Sequence, residues 1–479
     1  MWVPGLLAVT TAALAALPVW IGRRRVLLNP ALLVLVIALW SPGLKTLYVA
    51  LSTPPVTPAE LPGGATLAEF LTPGVLLALV AVMAYAASFA VVGRWTPTLR
   101  PSLLGRRHTP GRHERRSVAV LTFLAAAAFV GYLIAAGIDP FTWPLAAKRF
   151  LATDIGQETR FTYGPYYFFK AAMVSGSIAY ASAYLLFRSP PGRGDRTQRF
   201  QFAIVFTFAL FLSHFASLRL FILLVLVQLG VLMVYMRERR RAAFVAGFAA
   251  LTVASFAAIT FVHRLPALNV VAELEVEDTT GVAGKAGGRR VRLGEGVPPA
   301  ARLAGGAFGG RYFLDVGKLS HIAHHFPEEH PYAMGLGYLG FLDDDVAGSR
   351  ALPGGMSRYL AAQVLGEPYN SVPPGYAGEL FMNFGWAGVV AGFLLLGAFH
   401  RLLYNYLTAS SVSLAVGACL VLMIPSTTLV LLNSGLISAT ARAAIDLGVF
   451  LLVCPFWLDR GHTGRRAPRP HPAGEASAP

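Results

Sequence analysis

Apolar runs of about 20 residues, the length that crosses a bilayer as a helix, recur along almost the whole chain. No other feature limits the fold as strongly. Backbone buried in hydrocarbon must satisfy its own hydrogen bonds, so such runs become helices packed side by side. About eleven runs can be drawn at that length: residues 3–21, 26–50, 70–92, 118–137, 166–187, 202–217, 218–236, 242–262, 380–400, 412–432 and 436–457. The 202–236 block is one apolar stretch interrupted by Ser213, His214, Ser217 and Arg219, which reads as two spans joined by a tight turn. The chain is 55% hydrophobic and only 13% charged, against roughly a quarter charged in soluble domains. The expectation is an all-α polytopic membrane protein.

Charge orients these spans. Basic residues cluster at 23–25, 94–116, 188–199, 237–241, Arg401 and 460–469, and these segments hold more than half of the 40 lysines and arginines. All of them fall on one side of the eleven-span arrangement, which the positive-inside rule makes cytoplasmic. Most of the 24 acids lie elsewhere, so the net charge of +16 reports topology. Nucleic-acid binding would need a basic face on a folded domain, and none is expected. The amino terminus falls outside and the carboxyl terminus inside, as expected of a multi-pass plasma-membrane protein. Residues 1–262 form a first bundle of eight spans, 263–378 a large outer segment, 379–457 the last spans, and 458–479 a disordered cytoplasmic tail. The first run is followed, not preceded, by its positive charges, and reads as an uncleaved span. Both cysteines, Cys419 and Cys454, sit within spans, so no outer disulfide framework is expected.

The outer segment 263–378 is where chemistry should lie, since long loops carry function or disorder. Residues 273–297 have little hydrophobic pattern and read as mobile. From Arg311 onward Tyr312, Val316, Leu319, Ala323 and Phe326 recur at helical spacing, with Asp315, Lys318, His321, His324 and His325 on the remaining faces. That pattern predicts an amphipathic helix on the membrane surface, and residues 356–365, with Arg358, predict a second. No phosphate-binding glycine loop and no serine nucleophile elbow is present. His321, His324 and His325 are close in sequence, as metal ligands can be, but no HExxH accompanies them and they read as a solvated helix face. Asp343–Asp345 offers an exposed carboxylate cluster to a divalent cation, but reads more readily as a polar turn. No metal site and no cofactor is expected.

The segment from Pro373 to Gly388 closes this outer loop and runs directly into an apolar helix. Glu379 and Asn383 stand four residues apart there, on one helix face. Ionisable groups at the mouth of a membrane helix are costly and are functional candidates. Four arginines near the outer surface join them: Arg219 in the sixth–seventh turn, Arg264 at the end of the eighth span, Arg311, and Arg442 within the last span. A guanidinium matches phosphate oxygens bidentately, which suits these residues to a phosphate clamp. Arg219 reads equally as a snorkelling anchor. Arg442, with Asp446 four residues on, reads equally as a satisfied intramembrane pair.

Three segments resemble the bacterial oligosaccharide repeat unit polymerases, the Wzy-type O-antigen polymerase family. Residues 213–219 (Ser-His-Phe-Ala-Ser-Leu-Arg) resemble the family's serine-rich turn ending in arginine. Residues 331–338 (Pro-Tyr-Ala-Met-Gly-Leu-Gly-Tyr) resemble its outer-loop "P----G--Y" region. Residues 373–397 resemble its "GE-Y-NFG--G" segment. Residues 273–302 have no counterpart in that pattern. The resemblance implies a GT-C-like fold and transfer of a glycan from undecaprenyl pyrophosphate onto a new lipid-linked repeat unit at the outer leaflet. It implies no cofactor. Its implied partners are undecaprenyl-pyrophosphate-linked oligosaccharides, the lipid bilayer, and flippase and chain-length regulator proteins. Under it, Arg219, Arg311 and Arg442 neutralise the pyrophosphate, Glu379 or His321 acts as general base, and Arg264, Asn383, Tyr338 and Arg358 bind substrate.

Three other classes compete. A GT-C enzyme using monophosphate lipid sugars generally carries adjacent acids in its first outer loop, whereas Glu60 and Glu69 stand apart here. An O-antigen ligase shares the layout and differs in acceptor. A flippase or transporter would show internal repeats and midplane charges, and neither is evident.

Overall fold

The computed structural model describes residues 67–95, 112–136, 316–339, 356–360 and 373–408, together with isolated helical positions between 31 and 208 and between 424 and 448. Among these residues the regular structure is helical, with no strand. The elements are α1 (Leu67–Trp95), α2 (Arg112–Ala136), α3 (Val316–His325), a 3-10 turn (Leu336–Leu339), α4 (Met356–Tyr359) and α5 (Gly375–Thr408). Arg219, Arg264, Arg311 and Arg442 lie outside the described residues, as do residues 273–297 and Asp343–Asp345.

Among the described residues, two helices are long and apolar enough to cross a membrane: Glu69–Trp95 within α1, of 27 residues, and Gly375–Asn405 within α5, of 31 residues. At 1.5 Å per residue α1 is about 40 Å long, more than the roughly 30 Å of a hydrocarbon core. Its sequence is apolar around the whole circumference, with Glu69 in the first turn and Arg94 in the last, where each charge complements the helix dipole. Large apolar side chains also cover the outward faces, among them Met83 on α1 and Leu395 and Phe399 on α5.

Helices α1 and α5 run parallel, because their contacts advance together along both chains. Gly397 of α5 lies against the backbone of Tyr85 and Phe89, and Arg401 lies against Gly93 further along. At Gly397 a side chain would meet the Tyr85 carbonyl oxygen, so this close crossing needs a small residue, as packed membrane helices commonly do. Between these contacts, the Tyr85 hydroxyl lies 2.9 Å from His400 Nδ1, and Thr428 Oγ1 lies 3.3 Å from His400 Nε2. Either tautomer of a neutral imidazole satisfies both partners, so one buried polar chain ties α1, α5 and the helical positions 427–432.

Helix α3 packs across the shared N-terminal ends of α1 and α5. Leu319 and Ile322 reach Gly378 of α5, and Ser320 meets Gly74 of α1. Val316, Leu319, Ile322 and Phe326 are buried, as the amphipathic pattern predicts. Lys318 and Ser320 are buried as well, at 8% and 0% exposure, and Lys318 Nζ donates to the Pro373 carbonyl oxygen. The helix is therefore wedged between two others, where the sequence pattern predicts a single buried face on a membrane surface.

The helix ends also differ from expectation. Helix α5 starts at Gly375 and reaches Thr408, beyond the predicted 380–400. Arg401, expected in a cytoplasmic loop, is inside α5 and only 7% exposed. Its guanidinium stacks over Phe89 and Tyr404, at 5.1 and 5.6 Å from the ring centres.

Candidate functional site: a broken helix and its docked segment

Helix α5 is interrupted at Gly385, whose φ of 63° and ψ of −152° leave the helical region. Only glycine adopts this conformation without strain. The break has a direct consequence for hydrogen bonding. In an unbroken helix the carbonyls of Met382 and Asn383 would accept from residues four positions on. Here they accept from residues 333–334 instead: Ala333 N donates to Met382 O (3.0 Å) and Met334 N donates to Asn383 O (2.9 Å). The Tyr332 ring fills the space beside Gly385, where a Cβ would lie 2.8 Å from it. Past the break, residues 386–405 supply about 30 Å of helix, one bilayer core.

Asn383 completes the docking. It is fully buried. Its Oδ1 accepts from Gly335 N (3.1 Å) and Gly337 N (3.2 Å), and its Nδ2 donates to Glu379 O (2.8 Å) and Met356 Sδ (3.2 Å). An amide offers two acceptor sites and two donors, and all four are used within the protein. One side chain thus joins the 3-10 turn, α4 and α5. Arg358, expected to bind substrate, belongs to α4, two residues beyond Met356.

Glu379 lies one turn before Asn383 and is 3% exposed. Its Oε2 accepts from Leu436 N (2.6 Å). Gly435 N donates to Leu431 O (2.9 Å) and Gly435 O accepts from Ala439 N (3.0 Å), so one helical run ends and the next begins at this residue. The break coincides with the gap expected between the last two spans. Glu379 therefore caps the start of the second run, where a helix N-terminus favours negative charge. Gly435 has φ of 93°, and any Cβ there would collide with the Glu379 carboxyl group. A carboxylate has about four acceptor sites, and one backbone donor leaves capacity for a further partner.

Tyr338 faces the same junction. Its hydroxyl is buried and has no hydrogen-bond partner among the described residues. Burial, and then the neighbouring Glu379 carboxyl group, raise its pKa well above that of an ordinary tyrosine. The hydroxyl therefore keeps its proton and can donate a hydrogen bond.

The histidines are divided. His321 lies edge-on to Phe70 of α1, with ring centres 4.7 Å apart. His324 stacks over the same ring at 5.4 Å, and its Nε2 donates to the Phe70 carbonyl oxygen (3.3 Å). These two belong to the α3–α1 contact and not to a solvated face. His325 points elsewhere, to Glu329. Of the residues expected in the site, Glu379, Asn383 and Tyr338 meet at one junction, and His321 sits on the neighbouring helix contact.

Gly385, Gly435 and Met356 are the members that sequence reasoning did not single out. Only the glycines carried a signal, as residues interrupting or separating apolar runs. No protein-family model, no curated protein and no solved structure matches this chain.

Proposed function

We propose that this chain is a membrane-embedded glycosyltransferase that polymerises lipid-linked oligosaccharide repeat units at the outer leaflet of a bacterial plasma membrane. One observation carries the reading. Two of the segments that resemble repeat unit polymerases, 331–338 and 373–397, interlock through Ala333–Met382, Met334–Asn383 and the Asn383 side chain. They are remote in sequence, yet they build one junction that contains a buried carboxyl group and a buried phenol. The parallel course of α1 and α5, with residues 316–339 across their N-terminal ends, suits a segment held on the outer side of a multi-pass protein.

The reaction needs little covalent machinery. The acceptor hydroxyl oxygen attacks the anomeric carbon of the donor glycan. The bond from that carbon to the lipid pyrophosphate breaks, and its electron pair leaves with the pyrophosphate. The hydroxyl proton passes to a base, for which Glu379 and His321 are the candidates. Tyr338 donates a hydrogen bond to a sugar oxygen. Asn383 serves by holding the loop that presents Tyr338, since its own hydrogen-bonding positions are filled. Arg219, Arg311 and Arg442 neutralise the leaving pyrophosphate, and Arg264 and Arg358 bind phosphate or sugar.

Deleting the gene and sizing the lipid-linked surface glycan tests this reading. Collapse of the ladder to single repeat units is the expected result. A full ladder retained on undecaprenyl pyrophosphate would instead make the protein a ligase. Single units accumulating on the inner leaflet would make it a flippase.

A further inference from the structure

The turn that follows α3 gathers a second set of chemically active side chains, away from the Glu379 junction. His325 Nδ1 contacts the Glu329 carboxylate, and His330 completes a trio whose ligand atoms all lie within 4.8 Å of one another. The convergence is built by the backbone. The His325 carbonyl oxygen accepts from both Glu329 N (3.1 Å) and His330 N (3.0 Å), which folds the chain back on the end of the helix. Both side chains that follow the turn are thereby returned to His325. The His330 ring is fixed in turn, edge-on to Tyr359 at 5.1 Å and against Phe326 at 5.7 Å. The two imidazole rings lie 6.2 Å apart and tilted by 30°, with no hydrogen bond between them. Two imidazoles and one carboxylate held this closely can share a cation placed between them.

We propose that His325, Glu329 and His330 bind one divalent transition-metal ion of the zinc class and leave one coordination position open to solvent. The donor set decides the class of metal. Two neutral imidazole nitrogens and one carboxylate oxygen suit zinc, cobalt, nickel or copper, whereas magnesium and calcium need oxygen-rich sites. Two histidines with one glutamate are also a familiar three-ligand zinc set, with the fourth position left to water or a ligand. Access is open, because the Glu329 side chain is 60% exposed, while His325 at 18% is shielded enough to be held in place. Tyr359 supports the site from behind. A metal here would link the end of α3 to α4 through His330 and Tyr359. This site is independent of the proposed polymerase chemistry.

The test uses full-length purified protein in detergent, with any purification tag removed and metal stripped by EDTA. Cobalt(II) is titrated in and followed by its d–d absorption, and zinc binding is followed by calorimetry. One cobalt per chain is expected at this site, displaced by zinc and unmoved by excess magnesium or calcium. Changing even an outer-shell partner costs about 10–100-fold in metal affinity, so losing a ligand should cost at least about 100-fold. Glu329→Gln and His330→Ala should show that loss. His324→Ala, which removes the ring stacked on Phe70, should bind as the wild type does. Circular dichroism of Glu329→Gln, a neutral isostere, checks that the fold is kept. No binding by the wild type, unchanged affinity in Glu329→Gln and His330→Ala, or displacement by magnesium would each overturn the proposal.

Discussion

Replacing Asn383 by leucine removes every side-chain hydrogen bond that docks residues 333–337, while keeping a side chain of similar size. Two buried donors lose their acceptor, Gly335 N and Gly337 N, whereas Glu379 O keeps the ordinary backbone hydrogen bond of the helix. A buried group left unsatisfied costs about 1–3 kcal/mol. The segment lies at the edge of the core, with Met334 63% exposed, so its amides can reach water once it lifts. The lower end of the range therefore applies, about 2 kcal/mol in all. The bonds from Ala333 N and Met334 N to the backbone of α5 remain, so docking weakens and is not abolished. At about 1.4 kcal/mol per factor of ten, local opening becomes on the order of 30-fold more frequent. Hydrogen–deuterium exchange of detergent-solubilised protein measures this directly. Peptides covering 333–338 should exchange about 30-fold faster in Asn383→Leu, with α1 peptides unchanged. Equal exchange of 333–338 in both proteins would refute the idea that Asn383 is the clamp.

Other substitutions probe neighbouring links. Gly435→Ala forces a side chain into a left-handed position, costing about 1–2 kcal/mol, and also drives Glu379 off Leu436 N. Thermal unfolding in detergent should show a clear loss, and an unchanged midpoint would contradict the geometry at Gly435. Glu379→Gln keeps an acceptor for Leu436 N but cannot take a proton, so normal protein level with polymer formation reduced about 10²-fold or more is expected of a general base. Near-normal polymer would leave Glu379 as a helix cap only. Tyr85→Phe removes the hydroxyl at His400 Nδ1 and should lower stability by about 0.6–1.7 kcal/mol, as single hydrogen bonds between membrane helices do.

The sequence made the helical class and the long apolar segments legible, because hydropathy reports directly on what a bilayer accepts. It also placed Glu379 and Asn383 on one helix face. What it could not reveal were partners distant along the chain. Gly385 sits in an apolar run that reads as continuous helix, and its break acquires meaning only from Ala333 and Met334, about 50 residues upstream, which take the freed carbonyls. The amphipathic pattern of α3 located its buried face but assumed only one, and packing against both α1 and α5 buries Lys318 and Ser320 too. Grouping His321, His324 and His325 by nearness in sequence was misleading for a similar reason. Phe70 takes two of them, and the fold-back at Glu329 and His330 takes the third.

The most direct test of the proposed function is reconstitution. Purified protein in liposomes would be given undecaprenyl-pyrophosphate-linked repeat units from the same organism, and the products sized. The account predicts lengthening of the glycan with release of one undecaprenyl pyrophosphate for each unit joined, and loss of both in Arg219→Lys, which keeps the charge but not the planar fork. Folded protein that leaves the units unjoined, with 333–338 protected from exchange, would contradict it.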